Sequence, residues 1–249
     1  MKPDGLARLL RAYRDIAVRA GMEFECLDPK QAGVFSPFRC EADTENNVTI
    51  RIQGPLDHWY GTSAEQVIRA LDDAQPASIK VLIESPGGFV SEGLALYSDL
   101  RARSKAGVAV TTETRGVVAS AAVLPFLAGD TRYMGDGSLL MIHNPWTFAF
   151  FMGDESDIRK GSTSTINALT ANRKECARIT ATRTGMAIDK VTSAMNDETW
   201  YSADEAISAG YAIAAPDADE GVPDEDMKLM ALAHRRIAAE QILREHRRG

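Results

Sequence analysis

Four places in this 249-residue chain carry groups that could do chemistry. The first is Ser120, in the run 114–130 (TRGVVASAAVLPFLAGD), where Val117, Val118, Ala119, Ala121, Ala122 and Val123 enclose a lone hydroxyl. That setting predicts burial or a tightly shaped cleft. The alternating, β-branched residues 108–112 ahead of it predict a strand ending near Gly116, with a small-residue helix beginning near Ser120. A hydroxyl at such a junction stands beside backbone N–H groups with no helical partner, the arrangement that binds a developing oxyanion. A core serine bonded to its own helix is the plainer account of the stretch taken alone.

The second place is His143, in SLLMIHNPW (138–146), which ends an apolar strand just before Pro145. An imidazole there can leave the core for a cleft, or be satisfied structurally. The third is NDETWYSADEA (196–206). Ser202 and Glu205 form a capping box that opens a short helix over 203–209, so Asp204 and Glu205 are helix-start charges while Asp197 and Glu198 are free to serve a site. The fourth is the pair Gly87-Gly88 in ESPGG, after the strand predicted at 79–83. Paired glycines at a strand end allow close approach of another chain and φ values barred to larger residues.

The elements that must position these groups alternate in type. Residues 48–52 read as a strand stopped by Gly54-Pro55; Thr62 or Ser63 caps a helix bearing Ala64, Val67, Ile68 and Leu71; Pro76 closes it before the strand at 79–83. This β, α, β order predicts a right-handed parallel crossover. Another helix, carrying Gly93, Leu96 and Leu100, leads to the strand ahead of Ser120, so an α/β layered domain is expected, with the glycine turn and the serine turn facing one crevice. Residues 148–152 are apolar for a loop and, if exposed, suit peptide capture or subunit contact. From 156 to 184 the sequence predicts a long polar helix whose sparse apolar points fit packing between subunits; Gly185 ends it and a short helix with Val191 and Met195 follows.

The predicted domains are an N-terminal helix and connecting arm (1–46), a main α/β domain (47–214), and an acidic linker with a C-terminal helix carrying a basic tail (215–249). A net charge of -7 argues against nucleic acid as the main partner. Cys26, Cys40 and Cys176 lack metal-ligand spacing, so neither a metal nor a cofactor is expected, and an odd number fits a reducing compartment. Charges throughout the first 21 residues exclude a secretory leader, no segment has the length of a membrane span, and a cytoplasmic protein is expected.

Together, IESPGG (83–88), G-x-x-A-S (116–120), AGD (128–130), MIHNPW (141–146) and ETWYSADEA (198–206) resemble ClpP, the proteolytic subunit of the Clp protease. The MIHNPW and ETW segments are similar to its phage and prophage relatives, the head maturation proteases. The resemblance spans about 48–214. It implies a ClpP/crotonase-like spiral of β-α-β units with an extended handle helix. It also implies Ser120 as nucleophile, His143 as base, Gly88 and Ala121 N–H groups as oxyanion hole, and Gly87 and Gly88 as the edge that binds substrate. The family carries aspartate as third member; counting back from Ser202 puts Glu198 there, with Asp197 as substitute. Implied partners are protein or peptide substrates and copies of the chain in a homo-oligomeric ring, a heptamer or stacked heptamers. For a prophage role, capsid, scaffold or portal proteins join them, in ATP-independent processing. Two other readings stay open: an acyl-CoA-binding crotonase-type enzyme, and a non-catalytic ring-forming scaffold homologue.

Overall fold

Alternating aliphatic and polar residues build the sheet on which everything else rests. In the computed structural model, which describes residues 38–59 and 61–216, β2 (Asn47–Gln53) buries Val48, Ile50 and Ile52 at every second position, and β3 (Ser78–Glu84) does the same with Ile79, Val81 and Ile83. With β1 (Phe38–Ala42), β4 (Ala109–Thr114), β6 (Thr131–Met134) and β9 (Ile213–Ala214) they form a six-stranded sheet of order β1-β2-β3-β4-β6-β9. Every neighbouring pair is parallel except β1 with β2.

Helices make the crossovers. In α1 (Ala64–Ala74) the Ser63 hydroxyl accepts from Gln66 N–H while the Gln66 side chain accepts from Ser63 N–H, a reciprocal cap. α2 (Val90–Lys105) follows the glycine pair, and α3 (Val123–Ala128), buried at all six positions, fills the space beneath Ser120. Phe126 and Leu127, fully buried on α3, tie the serine turn into the main core. The long helix α4 (Glu155–Thr184) is capped by Asp154 and stopped by left-handed Gly185. Its buried positions, Ala177, Ile179 and Thr180, all lie in the last third. The first two thirds therefore stand away from the monomer core, as the sparse apolar pattern anticipated.

A second, three-stranded sheet of order β5-β7-β8 consists of β5 (Val117–Ala119), β7 (Leu139–Ile142) and β8 (Thr199–Ser202). α5 (Ile188–Asn196) precedes β8, and α6 (Ala203–Ser208) follows it with the expected Ser202/Glu205 capping box. Mixed α/β layers, parallel crossovers and the extended helix thus match the expected fold class. Several details differ. Residues 38–42, read as part of a connecting arm, pair with β2 as a strand; FRCEA is short and its edge position leaves three of its residues exposed, so it carries no alternating signal. Between Gly116 and Ser120 the chain makes β5 before a three-residue 3₁₀ turn, Ser120–Ala122, rather than passing straight into a helix. Residues 43–46 of the expected arm form the turn between β1 and β2, while its part before residue 38, the N-terminal helix, most of the acidic linker and the basic C-terminal helix lie outside the described residues.

Candidate active site

The three-stranded sheet brings the candidate side chains together by register alone. β5 pairs parallel with β7, Ala119 beside Met141, so Ser120 and His143 leave the same end of adjacent strands. β8 pairs antiparallel with β7, and its last rung sets Ile142 opposite Thr199. One residue beyond that rung on each strand are His143 and Glu198. A hydroxyl, an imidazole and a carboxylate from three distant segments therefore gather at one sheet end.

The Ser120 hydroxyl lies 2.6 Å from His143 Nε2. With hydrogen on Nδ1, Nε2 accepts from Oγ–H, which is the contact a base needs to take the proton as the oxygen attacks. Ser120 holds φ 55°, left-handed for a residue with a Cβ. That conformation costs about 1–3 kcal/mol and persists where surroundings over-determine it. Here β5, the 3₁₀ turn and buried Ala121 and Ala122 supply that constraint, and the serine is turned out of the strand toward the imidazole.

Backbone packing places the glycines against this turn. At Gly87 (φ 95°) an added Cβ would sit 2.6 Å from Ser120 Cβ and 2.9 Å from Ala121 N, so only glycine allows the approach. The Ser85 hydroxyl accepts from Gly87 N–H, Leu56 N–H donates to Gly87 carbonyl, and Phe89 N–H donates to Leu56 carbonyl. These bonds consume the groups on either side and leave Gly88 N–H without a partner among the described residues, on an exposed residue at φ 146°. An unpartnered N–H next in the chain to Gly87, which packs against Ser120, together with Ala121 inside the first turn of the 3₁₀ segment, is the kind of donor pair that stabilises a tetrahedral oxyanion.

The carboxylate is held far less closely. Glu198 Oε2 lies 3.8 Å from His143 Nδ1, beyond a hydrogen bond, and the Glu198 side chain is 61% exposed against 16% for His143. Asp197, the substitute, is not brought to the histidine: its carboxylate accepts from the Ser193 hydroxyl within α5 and its turn, at 3.4 Å. Of the two acids, Glu198 is the one the register delivers.

Beside Ser120 and His143 a small cleft is floored by α4 and α5, with Val90, Ile142, Met195, Cys176 and Thr180 among its walls. Burial, with Glu175 adding to it, pushes the Cys176 thiol up to about 11, so it stays protonated near neutral pH and is no rival nucleophile. Sequence reasoning missed three contributors. Leu56 fixes the glycine strand through its backbone, so its side chain gave no signal. Gly93 on α2 lets the helix approach Ala121 carbonyl, where a Cβ would come within 2.4 Å; a glycine inside a helical pattern was the available clue. Thr180, buried in the cleft wall, looked like one more polar residue of a long helix. Among the described residues no cluster of three or more His, Cys, Asp or Glu could hold a metal ion, and no helix is long and apolar enough to cross a membrane.

Comparison with known proteins shows which family the chain resembles. The family model for Clp protease matches residues 43–214. An ATP-dependent Clp protease proteolytic subunit 1 of Leifsonia xyli is 28% identical over 151 residues, 60% of this chain and 72% of that protein. The subunit 1 of Chlamydia felis is 30% identical over 151 residues, 60% of this chain and 70% of its own. A solved structure of a ClpP1 mutant from Listeria monocytogenes superposes with a TM-score of 0.56 at 22% identity, covering 70% of this chain and 93% of that one.

Proposed function

Because the chain belongs to the Clp protease family, we propose that it is a serine endopeptidase whose catalytic groups are Ser120, His143 and the backbone N–H groups of Gly88 and Ala121. The observation that carries this reading is the 2.6 Å contact between Ser120 Oγ and His143 Nε2. In the reaction, Ser120 Oγ attacks the peptide carbonyl carbon as its proton passes to His143 Nε2. The carbonyl oxygen, now carrying the charge, lies toward the Gly88 and Ala121 N–H groups. The C–N bond then breaks, His143 returns the proton to the departing amine, and an ester remains on Ser120. Water, deprotonated by His143, hydrolyses that ester and restores the hydroxyl. Glu198 supports the cationic imidazole, and Asp197 takes no part.

Gly88 suits an extended peptide held through its main chain, which tolerates many sequences, while Gly87, its N–H and carbonyl already bonded to Ser85 and Leu56, gives room for the approach. Residues 47–214 act as the peptidase domain, with the terminal segments as appendages. Assembly into a homo-oligomeric ring is supported by the apolar loop ahead of α4, where Trp146, Phe150 and Met152 are 66–80% exposed, and by exposed Ile166 on α4 itself. MIHNPW and ETW favour a prophage role, ATP-independent processing of capsid or scaffold proteins, and free Cys40 and Cys176 suit the reducing cytoplasm. The paired serine and histidine give the acyl-CoA reading no support. The test is hydrolysis of a fluorogenic peptide panel without ATP. Cleavage lost in Ser120→Ala with the oligomer intact by light scattering supports the proposal; cleavage surviving that change refutes it.

A further inference from the structure

Beyond the last rung of β7 and β8, the ladder stops and a different fastening takes over. Glu198 turns to φ 48°, so no further main-chain rung forms between it and His143. The chain after His143 is tied instead to the end of α5. Asn144 N–H donates to Met195 carbonyl at 3.1 Å, and Asn144 Nδ2 donates to Asn196 Oδ1 at 2.9 Å. Thr199 Oγ1 anchors the other strand to Ala194 carbonyl at 2.8 Å. His143 and Glu198 are thus bracketed, by the Ile142–Thr199 rung on one side and by the two asparagines on the other.

Asn144 accepts a penalty to hold that position. Its Oδ1 is buried and has no hydrogen-bond partner among the described residues. An amide serving only as a core filler would be replaced without loss by an apolar side chain of the same shape, since a buried acceptor without a donor is unfavourable. The Nδ2 bond to Asn196 is what the amide provides in return. Asn196 is the residue at which α5 ends, two positions before Glu198.

We propose that Asn144 and Asn196 are positioning residues whose amide-to-amide bond sets the separation of His143 from Glu198, and with it how fully the carboxylate supports the imidazole. The inference rests on the peptidase reading for its consequence in turnover, while its geometry can be tested without turnover. The titratable groups around the imidazole are Glu198 and Asp197 on the turn after α5 and the cleft thiol Cys176 from α4. Asp197 is engaged by Ser193 and Cys176 is neutral, so Glu198 is the charge through which the asparagines act.

The experiment is NMR observation of the His143 imidazole ring resonances at one fixed pH in the full-length wild-type protein, Asn196→Ala, Glu198→Gln and the double variant, with peptide hydrolysis measured in parallel. Asn196 is exposed at a helix end, so its replacement is expected to leave the fold intact, which a matching melting temperature verifies. Asn196→Ala and Glu198→Gln should each displace the His143 ring resonances in the same direction, and in the Glu198→Gln background Asn196→Ala should add no further displacement. The expected kcat loss in Asn196→Ala is about fivefold, the scale of one hydrogen bond, with KM within about twofold. Unmoved ring resonances in Asn196→Ala, or an equal displacement with Glu198 already removed, overturn the inference. If the resonance cycle holds while no peptide is cleaved, the asparagine clamp stands and the peptidase reading fails.

Discussion

The two sides of His143 are built to different tolerances. On the nucleophile side, Ser120 touches Nε2 at 2.6 Å, and its backbone is wedged between β5, a glycine strand and the fully buried α3. On the acid side, Glu198 stands 3.8 Å from Nδ1, mostly in water, on a turn that only one rung and a pair of asparagines hold in place. Tight packing fixes Ser120 Oγ and the Gly88 and Ala121 backbone, the proposed attacking atom and oxyanion donors. The carboxylate is left adjustable, so anything that covers the 197–198 turn, a second subunit or a substrate, can tune the imidazole without disturbing the nucleophile.

Changes on the tight side should have the largest effects. Ser120→Ala or His143→Ala is expected to lower kcat on the order of a million-fold, the scale seen when either member of such a pair is removed, as measured by peptide hydrolysis. Next comes Gly88→Ala. Its new Cβ would meet Leu56 carbonyl at 2.3 Å at a φ of 146°, so the donor strand must shift, and a loss of about 100- to 1000-fold in kcat is expected with KM little changed. If Gly88→Ala keeps wild-type kcat, the oxyanion assignment is wrong.

The loose side should respond weakly. Glu198→Gln is expected to cost about fivefold in kcat, because an exposed pair contributes about 0–1 kcal/mol, whereas a buried, directly bonded acid contributes about 10⁴-fold. A loss near 10⁴-fold would show that Glu198 closes on His143 in the working enzyme and would erase the contrast. Asp197→Asn should have no effect on kcat.

The last effect is on stability and concerns strand β4. Glu113 on β4 is buried; burial alone raises its pKa, but bonds from Lys80 and Arg115 more than offset this and leave it below the usual range. A folded-state value below the unfolded one stabilises above the unfolded pKa and is lost as pH falls through the folded value. Wild type should therefore exceed Glu113→Gln in stability at pH 7, and the difference should vanish in strong acid, read from denaturant midpoints across pH. A constant difference at all pH values would mean that the carboxylate's ionisation contributes nothing.

How much of this was legible beforehand follows the same division. Ser120 and His143 were readable as candidates, Ser120 as a lone hydroxyl in a small-residue run at an expected turn and His143 from its place at the end of an apolar strand, and the α/β order, the cap at Thr62 or Ser63, the Ser202/Glu205 capping box and the long polar helix follow from local patterns. The relation of Glu198 to His143 was not readable from periodicity. It depends on β8, four residues long and hidden beside a helix-capping signal, and on an antiparallel register that no local pattern encodes. The short strands β5, β6 and β9 were missed for the same reason, since two to four residues carry too little alternation. Leu56 and Asn144 act through backbone bonds and one amide, and their residue types gave no warning.

The central claim, that Ser120 is an activated nucleophile in the folded chain, is tested most directly by treating the full-length protein with a fluorophosphonate probe and mapping the modified residue by mass spectrometry. The account predicts a single adduct on Ser120, abolished in His143→Ala and retained at reduced rate in Glu198→Gln. Modification of a different residue, or none on Ser120 in the correctly folded protein, would contradict it.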